Sequence, residues 1–245
     1  MESLSEYLIS SIPTNLLILA AALTGTRYLR LRPKELKAEV ILVLFLWITF
    51  IVEAIGAVVP IAKYTGYRVF GFIEDTVFEE NAWVYNPFMI MSYLVYAYYI
   101  RSHVKKGTWK KLLYYAAIVF AISSMIFIFW NNIYFEMLSL FTIFTGTLLI
   151  TITCFRFFME LLRSDKILSL RLYLPFYIAI GVLMFNLCIT PLIIYASYFS
   201  AGNDLYIKLH SYIVLFSNLF MYSCFIIGFL ICKKNKSSLL VMSSQ

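Results

Sequence analysis

Glu53 is the only carboxylate well inside one of the long apolar stretches of this chain, and Thr49, Gly56, Ala57 and Pro60 are its neighbours at helical spacing. Those neighbours are small, so this face is expected to pack against other helices rather than lipid. An ionisable group held in lipid is costly and by default marks a function, with a partner close by. The same residue serves equally as a protonated acid hydrogen-bonded between helices, and the sequence leaves both readings open. Amides and hydroxyls recur on three further stretches. Asn186 shares a stripe with Thr190 and Ser197, Asn218 shares one with Ser211 and Tyr222, and Ser139, Thr142, Gly146 and Thr153 form a third. Each stripe alone reads as helix packing, because small and polar residues let backbones approach and hydrogen-bond. Together with Glu53 they suit the lining of a polar pocket that faces outward. His210 stands near the outer end of the last stretch. Asn86 before Pro87 reads as a helix-start pair, but a helix beginning there is short for the membrane, so either Asn86 lies below the surface or the helix starts a turn earlier. The candidate pocket or coupling residues are therefore Glu53, Asn86, Asn186, Asn218, Tyr222 and His210.

Several chemistries lack their parts. A zinc site needs three or four converging ligands, whereas His103 and His210 are expected on opposite sides of the membrane. Cys154, Cys188, Cys224 and Cys232 all fall in or at the end of apolar stretches, without ligand or disulfide spacing. No lysine lies in the middle of the last stretch to hold retinal, no aspartate lies in any stretch for paired-Asp proteolysis, and no membrane-embedded histidine is available to activate a serine. No catalytic residue, metal or cofactor is expected. A lipid- or quinone-directed enzyme built from Glu53, Glu136, Asp204 and His210 ranks last, since their spacing matches no known constellation.

The elements that carry these residues follow from composition and charge. Of 245 residues, 62% are hydrophobic and 13% charged, a balance that would leave a soluble domain with large exposed apolar patches. A helix needs about 20 residues to cross roughly 30 Å of hydrocarbon. Seven stretches qualify: 7–28, 40–61, 83–100, 112–130, 134–158, 174–198 and 206–232. Seventeen of the 20 Lys and Arg residues fall in four groups, 27–37, 101–111, 156–171 and 233–236, while eight acids lie in the alternate segments. Because basic loops stay in the cytoplasm, the chain is expected to be an all-α polytopic membrane protein. It would have seven transmembrane helices in one domain (1–236), an external N-terminus and a short cytoplasmic tail (237–245). The net charge of +7 is then a topology signal beside an anionic leaflet and not a nucleic-acid footprint. The acidic start lacks the basic region of a cleaved signal peptide, so the first stretch is expected to be retained as a span.

Aromatic residues gather at the expected borders, among them Tyr64, Tyr67, Trp83, Tyr85, Trp109 and Trp130, as an interfacial belt requires. The longest connection, 62–82, is external and sets Phe70, Phe72, Ile73, Val77 and Phe78 among four acids. It reads as an amphipathic connector in preference to a lid. Asn131-Asn132 reads as a turn and Glu136 as a helix-start acid. The cytoplasmic loops are short and leave no room inside for a soluble effector domain. Spans one to three and five to seven run in the same direction with span four between them, the arrangement of a parallel triple-helix duplication.

Ile12-Pro13, Arg27-Tyr28, Glu53 and Asn86-Pro87-Phe88 follow one another in an order that resembles a group of small bacterial seven-span integral membrane proteins. The resemblance implies the fold, its orientation and a bacterial inner membrane. It marks Glu53 and Asn86 and implies no activity. The expected function is that of a non-enzymatic sensor, scaffold or accessory subunit that meets another membrane protein within the bilayer and takes a small ligand from the outer side. A transporter that uses Glu53, with Asn186 and Asn218 as substrate ligands, is the alternative.

Overall fold

The computed structural model describes residues 4–31, 37–198 and 204–233. Their regular structure is helical throughout: α1 (Leu4–Leu31), α2 (Lys37–Gly56), α3 (Val58–Tyr64), α4 (Ala82–Ser102), α5 (Thr108–Trp130), α6 (Leu140–Leu162), α7 (Leu174–Tyr198) and α8 (Asp204–Lys233), with short 3-10 turns at Gly71–Ile73 and Asp165–Leu172. Six segments are long and apolar enough to cross a bilayer: Tyr7–Leu31, Lys37–Tyr64, Thr108–Trp130, Leu140–Leu162, Leu174–Tyr195 and Leu209–Cys232. The helix over the expected third span, α4, has 21 residues but is not among them.

The packing explains how α4 can carry so many polar groups. It lies against α2, α5, α6 and α7, and Asn86, Tyr93, Tyr96 and Tyr99 are buried along it. A helix surrounded by protein has no need of a uniformly apolar surface, because neighbouring helices supply partners for its polar groups. The remaining long helices close a ring in the order α1, α2, α4, α6, α7, α8 and back to α1, while α5 sits outside on α4 and α6.

Contacts at the helix ends sort the loops by charge. Glu39 at the start of α2 meets His103 at the end of α4, Nε2 to Oε1 3.2 Å. The backbone N–H of Lys105 donates to Glu160 near the end of α6 (2.7 Å), and Arg156 lies over the Trp109 ring. The described parts of three of the four basic groups therefore meet at one end of the ring; residues 32–36 of the first and 234–236 of the fourth lie outside the described residues. At the opposite, acid-rich end, α2 runs on through Ala57 into α3. Pro60 has no N–H to offer the carbonyl of Gly56 four residues back, and the Asn81 amide supplies one (2.8 Å).

One expected boundary moves and two side chains take other roles. The fourth connection is longer than anticipated, since α6 begins at Leu140 rather than near residue 134. Ser139 is no part of the intramembrane stripe but the N-cap of α6, accepting from the Thr142 N–H at 3.2 Å. The turn ahead of it places Asn132 in the left-handed region (φ 55°), as its residue type favours. Further back, α4 starts at Ala82, a turn before Asn86, so the Asn86 side chain is not its cap. The 62–82 connection folds back on α3 through a small core of Val59, Ala62 and Ile73, pinned by Lys63–Glu80 (2.5 Å) and by Tyr67 donating to Glu79. That hydrogen bond pushes the Tyr67 phenol up to about 12.

Candidate functional site

Five helices converge on a cavity of about 440 Å³ at the acid-rich end. From α1 come Tyr7, Ser11, Thr14 and Asn15; from α2 and α3 come Glu53, Gly56 and Pro60; Asn81 and Tyr85 flank the start of α4; His210, Ser211, Val214, Leu215 and Asn218 come from α8. The volume falls within the usual range of small-molecule sites. The centre of the 62–82 connection adds no wall, so the segment behaves as a connector in this structure and not as a lid.

Glu53 is placed by the helix that carries it. It stands one turn before Gly56, and Tyr85 crosses from α4 to donate its hydroxyl to Glu53 Oε2 (3.2 Å). Gly56 is required for this approach, since a Cβ there would fall on the Tyr85 hydroxyl. Asn218 donates back to the Val214 carbonyl (3.0 Å), an i to i−4 bond that holds its amide against α8. The side-chain oxygens of Asn15 and Asn81 are buried without a hydrogen-bond donor. A desolvated acceptor left unpaired costs roughly 1–3 kcal/mol. Among the described residues, Glu53 is the one carboxylate in the wall, and no lysine or arginine is present there.

The six residues singled out from the sequence divide. Glu53, His210 and Asn218 line this one cavity. Tyr222 lies one turn beyond Asn218, 4% exposed in the core, with its ring against Phe225. Asn186 is buried on α7 and donates to the Val182 carbonyl (2.8 Å). Its stripe-mate Thr190 bonds Thr147 of α6 (2.6 Å), and Thr147 in turn meets the Tyr93 hydroxyl of α4 (3.3 Å). That stripe ties three helices together away from the cavity; Ser197, its last member, has a side chain outside the described residues. Asn86 is fully buried. Its amide donates to the carbonyls of Tyr134 (3.2 Å) and Met137 (3.1 Å), and its oxygen accepts from the Ser139 N–H (3.1 Å). It clamps the connection before α6.

Sequence reasoning passed over Tyr85 and Asn81. Tyr85 reads as one more belt aromatic, and only the antiparallel fit of α4 on α2 brings it to Glu53. It also passed over a second polar cluster at the basic end. There Glu39 is 3% exposed, with one oxygen facing His103 and the other without a partner, and the Tyr99 hydroxyl is buried unpaired nearby. Burial and the Glu39 carboxylate push the Tyr173 phenol at this cluster up to about 12. Glu39 sits just before the expected second span, where an acid looks like an ordinary loop residue.

Compared with protein-family models, curated proteins and solved structures, the chain matches none, so the cavity itself carries the functional argument.

Proposed function

We propose that this chain is a non-enzymatic membrane protein of seven crossings whose pocket, at the external end, binds a small polar solute. The basic end then faces the cytoplasm of a bacterial cell. Occupancy is passed to a neighbouring membrane protein through the lateral faces of the helices. The observation that carries this reading is the meeting of Glu53 with Asn218 and His210, from α2 and α8, in one open cavity with Tyr85 and Asn81. A solute bridging these walls would draw α1, α2, α4 and α8 together, which is a change a partner can sense. The inter-helix segments at the basic end are short, which favours lateral packing over an appended module as the output.

A carrier is the second reading, and one observation favours it. The α2–α4 pair holds two polar stations, Glu53–Tyr85 at one end and Glu39–His103 at the other, as alternating access would use. Purified protein reconstituted in vesicles separates the two. A receptor gives solute-dependent thermal stabilisation with no accumulation inside, and crosslinks to a second membrane chain in cells. Accumulation that Glu53→Gln abolishes would replace it with the carrier, and a protein that is monomeric with no crosslinked partner would remove the signalling role.

A further inference from the structure

We infer that the ligand of the Glu53 cavity is a small organic ammonium ion, in which a protonated amine is bound by the carboxylate and the side-chain oxygens around it. The inference rests on the pocket reading above and adds its chemistry. Three features of the wall point the same way.

The first is charge. Among the described residues, Glu53 is the sole carboxylate of the wall, which holds no lysine or arginine to attract an anion or to neutralise the acid. Charges held between helices interact more strongly than in water, so a carboxylate with no permanent cation in the same wall favours a positive ligand. The second is hydrogen-bonding sense. The Asn81 amide nitrogen is engaged by the Gly56 carbonyl and that of Asn218 by the Val214 carbonyl. The oxygens of Asn15 and Asn81, by contrast, are buried and lack a donor. An –NH3+ group carries three donors and no acceptor, so it suits the carboxylate and the wall hydroxyls, which accept as well as donate. The third is shape. Pro60, Val214 and Leu215 give the same wall an apolar side against which a short carbon chain can lie, within a volume of about 440 Å³ that excludes a large ligand. At the same end, Glu74, Asp75, Glu79 and Glu80 outnumber Lys63 and Arg68 along the 62–82 connection, which raises the local concentration of cations.

Charged thiol reagents test this whatever the natural ligand is. Leu215→Cys puts a thiol in the cavity wall, and Val77→Cys puts one on the exposed connection (57% exposed in the native chain). Intact cells are treated with 2-aminoethyl or trimethylammonioethyl methanethiosulfonate, which are cationic, and with the anionic sulfonatoethyl reagent. The expected result is a cation-over-anion rate ratio at residue 215 about tenfold above that at residue 77, which corresponds to roughly 1.4 kcal/mol of electrostatic preference. Adding Glu53→Gln abolishes the excess, and Glu53→Asp retains it. Propylammonium at millimolar concentration slows the reaction at residue 215, while propionate does not. The Val77→Cys rate in each variant reports that the protein is folded and displayed. Equal ratios at the two positions, or protection by propionate as strong as by propylammonium, overturn the ammonium assignment and leave an outward pocket standing. A thiol at residue 215 that neither reagent reaches, while residue 77 reacts, overturns the outward pocket itself and the assignment with it.

Discussion

Asn86 shows how far a single side chain can be misjudged from its neighbours in sequence. Beside Pro87 it looks like a cap, or, in a polar pattern with Glu53, like a site residue. Its actual partners lie 48 to 53 residues away in sequence, in the turn before α6. No local signal encodes that distance. Glu53 was legible for the opposite reason, since an acid in an apolar run stands out whatever it touches. Its donor Tyr85 did not stand out, because a tyrosine near a membrane border already has a sufficient explanation. The two asparagine roles give separable consequences. Asn86→Ala removes one acceptor and leaves the Ser139 N–H and two carbonyls unpaired in a buried site, at a cost of about 2 kcal/mol or more. Thermal unfolding in detergent should show that loss, while the charge preference of a thiol at residue 215 stays unchanged. If Asn86→Ala altered the preference and spared stability, its place would be in the pocket and not in the clamp.

At the level of elements, six of the long helices follow from hydropathy alone, and the seventh demonstrates what hydropathy measures. Lipid contact, not membrane depth, demands an apolar surface. Since α4 is enclosed by α2, α5, α6 and α7, it can carry a row of tyrosines whose hydroxyls seek partners on other helices. Tyr93 is the clearest case: its hydroxyl donates to the Ile143 carbonyl of α6 (3.2 Å), and its ring lies where a Cβ on Gly146 would be. The polar stripe Thr142, Gly146 and Thr153 was therefore readable as packing, but not which ring it would receive. Overpacking a well-filled contact costs typically 1–3 kcal/mol, so Gly146→Ala should lower stability by that order. Tyr93→Leu, which removes the ring's edge, should restore part of the loss when combined with it. A double-mutant cycle in detergent measures the coupling, and strict additivity of the two changes would mean that α4 and α6 do not meet here.

Across the whole molecule, the ring order α1, α2, α4, α6, α7, α8 sets α1 opposite α6, α2 opposite α7 and α4 opposite α8. A parallel duplication of three helices would pair the same elements, with α5 left outside as the connector. The same ring fixes what α4 must do. It packs on α2 at both ends, Tyr85 on Glu53 and His103 on Glu39, and those two acids are 14 residues apart on one helix, or about 21 Å. A partner that follows α2 over that length, with 21 residues of its own or about 30 Å, spans what α2 spans. On the seven-crossing reading proposed above, the segments before and after α4 would lie on opposite sides of the membrane. Val77→Cys and Lys106→Cys place thiols on those two segments, both at exposed positions. An impermeant maleimide should label residue 77 in intact cells and residue 106 only after permeabilisation. Labelling of both from outside would make α4 a helix that returns to its own side and the protein one of six crossings. The alternation of acidic and basic ends makes that outcome unfavourable, because it would carry the basic groups around 101–111 and 156–171 out across the membrane against the rule that holds such loops in the cytoplasm.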